Sequence, residues 1–298
     1  MKIATTTEDF RFLENNEEAI KRISDAGFRY IDLSIYTQPQ TLVFMGDDWK
    51  EYVLRLKEHA KKLGVKYVQA HSPGFNAFEE DDMLKTYIEQ TIRSIEVCGM
   101  LGIPTTVVHS GCDFNMEKDE FFEKNLKFYK LLYPAMEENN VNVLIENNAR
   151  ANLGERYAFY DGKTMKEFLE YANHSLLHAC WDTGHANLEG HQYEDIIALG
   201  DDLYAIHFND NRGEKDEHII PYMGNFAIDD VMIALKEINY KGYFTFEANN
   251  SIWGGEMRSQ ICKNNILAEP PVFLFDEIEN IKYKIGKYIL EKYDCFEE

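Results

Sequence analysis

LLHACWDTGH, residues 176–185, is an apolar run that stops on an aspartate and sets a histidine three residues further on. The same design recurs in VKYVQAHSP (65–73), PTTVVHSG (104–111), VNVLIENN (141–148), LYAIHFND (203–210) and YFTFEANN (243–250). These runs carry His71, His109, Glu146, His207 and Glu247 at their tail ends, beside Asp182 and His185 of the first. Each is followed by a loop and then by a stretch of helical spacing. Apolar strands that all end in acidic or imidazole side chains imply parallel strands with their chemistry at one mouth. A (β/α)8 barrel gathers its active site there, because only the C-terminal strand ends and the βα loops converge on that face.

Working outward, the chain alternates helix, glycine or asparagine stop, and apolar strand. IATTT opens as a strand, ENNEEAIKRISDAG has helical spacing, and RYIDLSI follows as a second strand. DWKEYVLRLKEHAKKLG puts Tyr52, Leu56, Ala60 and Leu63 on one helical face and stops at Gly64. FFEKNLKFYKLLYPAMEENN reads as one helix before the fifth strand, and the final helix is expected from about Asp276 to Lys292. Eight strands linked by helices require a parallel sheet with right-handed crossovers, and eight such units close a barrel. The expectation is therefore an α/β chain forming a single TIM-barrel domain over residues 1–298. Residues 254–271, GGEMRSQICKNNILAEPP, read as an extended connection to the last helix, with a lid or a subunit contact as the alternative.

Composition narrows the function. Fifty-two carboxylates against 31 Lys plus Arg give a net charge of −21, a field that repels polyanions and disfavours nucleic acid or an anionic membrane as partner. Mean hydropathy is −0.43, and no run approaches the roughly 18 apolar residues a membrane span needs. Five scattered cysteines without a CxxC pair read as reduced thiols, and with no signal-peptide core they suggest a cytoplasmic protein. Of nine histidines, His71, His109, His185, His207 and His218 fall at strand ends or in the loops after them. Neither GxGxxG, nor a P-loop, nor a serine nucleophile elbow is present.

Glu146, Asp182, His207 and Glu247 come from the ends of strands five to eight. Three carboxylates and one imidazole suit a divalent ion, zinc or manganese first, magnesium or cobalt also. The loop HFNDNRGEKDEHIIPYMGNFAIDD (207–230) adds Asp216 and His218 as further ligands or as ordinary loop polarity.

At these motifs, above all WDTGHANLEG (181–190) and GYFTFEA (242–248), the chain resembles the xylose-isomerase-like barrel superfamily. Its branches include sugar isomerases and epimerases, inosose dehydratases and the endonuclease-four type of abasic-site nuclease. The similarity to ketose 3-epimerases implies a metal held by Glu146, Asp182, His207 and Glu247. It also implies a substrate contact at His185, and another at Arg212, which stands at a different spacing from the family's arginine. The nuclease branch implies three zinc ions on nine ligands, matched by His71, His109, Glu146, Asp182, His185, His207, Asp216, His218 and Glu247.

The favoured expectation is a metal-dependent isomerase or epimerase on a small carbohydrate, using one ion and forming an enediolate beside a polarised carbonyl. Glu146 and Glu247 would serve as base and acid, and His71, His109, His185 and Arg212 would contact substrate. Tyr36, Phe75, Trp181 and Trp253 are candidates either to stack on the sugar or to pack within the protein, and a homo-oligomer is compatible. The alternative is a zinc phosphodiesterase on abasic DNA.

Overall fold

A computed structural model describes residues 1–13, 15–79, 83–190, 192–252 and 270–298. Eight parallel strands pair in chain order and close on themselves: β1 (Ile3–Thr6), β2 (Tyr30–Ser34), β3 (Lys66–His71), β4 (Thr105–Val107), β5 (Asn142–Glu146), β6 (Leu177–Asp182), β7 (Leu203–Phe208) and β8 (Phe244–Phe246). The ring closes where Ile3, Ala4 and Thr5 face Phe244, Thr245 and Phe246. The expected (β/α)8 barrel is the observed fold.

The described helices are α1 (Asn16–Asp25), α2 (Gln38–Val43), α3 (Trp49–Leu63), α4 (Met83–Leu101), α5 (Lys118–Lys130), α6 (Tyr133–Asn139), α7 (Arg150–Leu153), α8 (Gly162–Ala172), α9 (Thr183–Glu189), α10 (Gln192–Leu199), α11 (Ile228–Glu237) and α12 (Val272–Lys292). The stops are local chemistry. Gly64, Asn140 and Asn173 end α3, α6 and α8 in the left-handed region, at φ 68, 51 and 46, which glycine and asparagine enter most readily.

Two expectations need correction. Residues 121–140 are not one helix: α5 ends at Lys130 and α6 starts at Tyr133. Pro134 lacks the N–H that a continuous helix would donate back to Lys130, so the chain restarts with proline near its first turn. The last helix begins at Val272, four residues early, directly after Pro271. In WDTGH, α9 starts on Thr183 with Asp182 as its N-cap. Residues 254–269 lie outside the described residues, as does Trp253. Among the described residues no helix is long and apolar enough to cross a membrane.

The barrel interior explains how the site is placed. Val107, Leu144, Cys180 and Ala205 form a small apolar layer inside it. Side chains two apart share a strand face. One step above Leu144, Cys180 and Ala205 therefore come Glu146, Asp182 and His207, and one step above buried Thr245 comes Glu247. The larger apolar cluster fills the space between strands and helices.

A buried charged group ties α12 to the first strand. Lys282 Nζ, fully buried, lies 2.9 Å from Asp9 Oδ2 and 2.5 Å from Glu279 Oε1, and also donates to Thr5 Oγ1 at 2.9 Å. One ammonium faces two carboxyls in a dry setting. Burial pushes the Glu279 carboxyl up to about 8, despite the pull of Lys282. The native state therefore holds a proton that the unfolded chain releases near 4.5. That contribution to stability is present at low pH and is lost as pH rises from about 4.5 to about 8. Glu279→Gln should flatten this slope in denaturant unfolding measured across that window. Lys282→Met strands the Asp9 charge, and should lower stability by roughly 3–5 kcal/mol.

Candidate metal centre

Strand ends deliver the acidic and imidazole side chains to one cavity. His71, Glu146 and Asp182 are the last residues of β3, β5 and β6. His207 is the penultimate residue of β7, Glu247 follows β8 directly, and His109 lies two residues past β4. His185 sits in the first turn of α9, and Asp216 and His218 lie in the loop between β7 and α11. The cavity, about 420 Å³, is lined by His71, His109, Glu146, His185, Asp216, His218 and Glu247, together with Glu8, Arg11 and Tyr36.

Among the described residues these side chains meet in five overlapping groups, within each of which the donor atoms all lie within 4.8 Å of one another: His71–His109–Glu146, His71–His207–Glu247, Glu146–Cys180–His207, Asp182–His185–His218 and Glu146–Asp182–His207–Glu247. Glu146 and His207 each belong to three, and Asp182 to two. Glu146 Oε1 pairs with His207 Nδ1, while its Oε2 lies 2.8 Å from His109 Nε2 and 3.7 Å from His71 Nε2. Glu247 Oε2 is 3.1 Å from His207 Nδ1. Asp216 spans the remaining pair, 3.0 Å from His185 Nε2 and 3.1 Å from His218 Nε2.

The imidazoles are aimed by the backbone. Nδ1 lies 2.9 Å from Ser72 O in His71, 2.8 Å from Asn147 O in His185 and 2.9 Å from Glu247 O in His218. A carbonyl only accepts, so the proton is on Nδ1 and Nε2 faces the carboxylates. That tautomer is the one a metal ligand needs. His207 is reversed: Nδ1 faces Glu146 and Glu247, and Nε2 lies 2.7 Å from the Gln69 amide and 3.6 Å from Asp32. Asp182 is fixed from three sides. Its Oδ1 accepts from the His185 N–H at 2.7 Å, its Oδ2 accepts from Asn209 Nδ2 at 2.7 Å, and its backbone N–H donates to Asn147 Oδ1 at 2.7 Å.

Burial opposes every charge in this cluster, and the partners overrule it unevenly. His207 holds Glu247 down to about 2 and Glu146 well below the carboxylate range. Desolvation wins at Asp182, which rises to about 6. His218 is lifted to about 10, chiefly by Asp216, and His185 is raised by Asp182 and Asp216. His109 moves down through burial. Without a cation, imidazoliums neutralise the carboxylates. A donor set of buried carboxylates and pre-aimed imidazoles fits a divalent ion, which would displace those protons.

One sequence expectation fails here. Arg212 does not line the cavity: its side chain is 61% exposed and pairs with Glu217 on the surface. The arginine at the cavity is Arg11, whose Nη1 donates to Glu8 O at 3.2 Å. Of the aromatics, Tyr36 lines the cavity and packs edge-on to His71 at 4.9 Å. Trp181 is fully buried and donates to Gln192 at 3.3 Å, and Phe75 stacks on Tyr87 at 5.1 Å. Sequence reading missed Glu8, Asp32, Gln69, Asn147 and Asn209. The two asparagines could have been found, since each directly follows a ligand-bearing strand end (ENN, HFND).

Comparison with known proteins places this site in context. The chain is 27% identical over 166 residues to "Uncharacterized protein y4fM" of Sinorhizobium fredii, covering 54% of this chain and 52% of that protein. It is 25% identical over 185 residues to "Probable endonuclease 4" of Cenarchaeum symbiosum, covering 56% and 64%. The match thus spans half to two thirds of these relatives. Among solved structures, D-psicose 3-epimerase from Clostridium cellulolyticum H10 superposes with a TM-score of 0.76 at 16% identity, covering 97% of this chain and 99% of that one. That likeness speaks to the fold. The model of the xylose isomerase-like TIM barrel matches residues 20–262, and the chain belongs to that family.

Proposed function

We propose that this protein is a divalent-metal-dependent isomerase or epimerase acting on a small carbohydrate. The observation that carries the reading is the convergence of Glu146, Asp182, His207 and Glu247, of which Glu146 and Glu247 line a cavity of about 420 Å³, a volume in the range of small-molecule sites. The sugar epimerases among the structural neighbours support the same class.

When bound, the ion would supply a Lewis acid for a substrate carbonyl. The rest is the work of side chains. Glu146 spends both oxygens on imidazoles, whereas Glu247 makes its contacts through Oε2 and keeps 12% of its side chain exposed. Held ionised at neutral pH, Glu247 is the base suited to take a proton from carbon beside the carbonyl. Tyr36, raised to about 12 by burial, keeps its proton and can donate to a developing negative oxygen. His71, raised by its neighbour Glu146, is left to donate from Nε2 to a substrate oxygen.

The overlapping donor groups favour a second reading, a phosphodiesterase using three zinc ions, in line with the similarity to a probable endonuclease 4. Ion count separates the two. One or two ions per chain by elemental analysis, without cleavage of abasic DNA, support the carbohydrate reading; a value near three, with metal-dependent cleavage of abasic DNA, overturns it. In D2O a ketose, aldose or inosose substrate should gain deuterium beside its carbonyl, and Glu247→Gln should slow that exchange by about 10²-fold or more. Asn209→Ala, which frees Asp182 to turn, should weaken metal binding by about 10–100-fold in a competition titration, with the circular dichroism unchanged.

A further inference from the structure

The loop from Asn211 to Phe226 delivers Asp216 and His218, yet it has little regular structure of its own. Its shape is set by one side chain. Asp210, 2% exposed, accepts four backbone N–H groups. Its Oδ1 takes Asn211 at 2.8 Å and Phe226 at 3.1 Å, and its Oδ2 takes Tyr222 at 3.1 Å and Gly224 at 3.0 Å. Its backbone also exchanges hydrogen bonds with Ile219, at 2.8 and 3.0 Å. The Asp210 carboxylate therefore ties the loop's first residue to its last ones, and the Asp210 backbone ties them to the residue following His218.

The conformation it holds is strained. His218 and Tyr222 sit at φ 48 and 73, a region that disfavours side chains with a Cβ by roughly 1–2 kcal/mol each. Gly224 is required by contact: a Cβ there would stand 2.2 Å from Asp210 Oδ1 and 2.2 Å from Asn211 O. Asn211 continues the fastening toward α9, donating to Gly184 O at 2.7 Å and accepting from Asn187 Nδ2 at 2.8 Å. The loop and the helix that bears His185 are thus held in one frame.

We propose that Asp210 is a positioning residue: by closing the loop on four backbone N–H groups, it sets Asp216 and His218 against His185 in the arrangement a divalent cation at that group requires. The inference rests on reading the Asp182–His185–His218 group as a cation site, and the test separates the two. Asp210→Asn keeps the shape but turns one acceptor oxygen into a donor. Gly224→Ala opens the same clamp from the other side without touching the carboxylate.

Both variants would be loaded with zinc beside wild type and His218→Ala, then compared by elemental analysis, circular dichroism and histidine-selective NMR. The expected result is a folded protein in which each variant falls to the zinc content of His218→Ala, one ion below wild type. The His218 imidazole resonance moves while that of His207 stays. Generalised weakening of the fold would not single out one ion or one imidazole. An unmoved His218 resonance and wild-type zinc content in both variants overturn the proposal. Equal zinc in wild type and His218→Ala overturns the cation-site reading, and the resonance then decides the positioning role alone.

Discussion

Carboxylates do not gather in a protein interior unless something positive gathers with them. Glu146, Asp182 and Glu247 converge on His207 at the top of a barrel whose interior just below is Val107, Leu144, Cys180 and Ala205. Much of the mouth answers that concentration of negative charge. Imidazoles are aimed by backbone carbonyls, Asn209 holds the Asp182 carboxylate and Asn147 its backbone, and Asp32 with Gln69 backs the far side of His207. Removing one partner leaves a charge in a place where water cannot reach it.

The barrel was legible because its signal is repetitive. Six strands supplied an apolar run that ended in acidic or imidazole side chains, and Gly64, Asn140 and Asn173 marked the helix stops. Period-two alternation also lifted the acidic layer one step above the apolar one, so the quartet could be named from strand ends alone. What escaped was decided by contacts between distant segments. Nothing local in HFNDNRG says that Arg212 turns outward to Glu217, or that Arg11, from the first βα loop, reaches the cavity instead. Trp181 is one residue from Asp182, yet alternation sends it to the opposite face, into the layer between strand and helix. Glu8 was passed over because its strand is short and threonine-rich, so no apolar run announced it.

The helix at α9 shows how one residue serves two structures. Asp182 ends β6 and caps α9, accepting from the His185 N–H at 2.7 Å. A carboxylate at a helix N-terminus is favoured by the unpaired N–H groups there. The same oxygen that starts the helix fixes where His185 stands relative to Asp182. Strand, cap and imidazole are therefore one rigid piece, which accounts for the tight spelling of WDTGH.

Glu146 and Asp182 each stand in more than one donor group at once. Sites that share a ligand are thermodynamically linked: whatever occupies one, proton or cation, changes the affinity of its neighbour, and the neighbour returns the same factor. The mouth of this barrel is then a single binding polynomial, not a row of independent seats. Its response to acidity or to cation concentration would be steeper or flatter than any one group alone could produce, with the sign set by how the two shared carboxylates divide their charge.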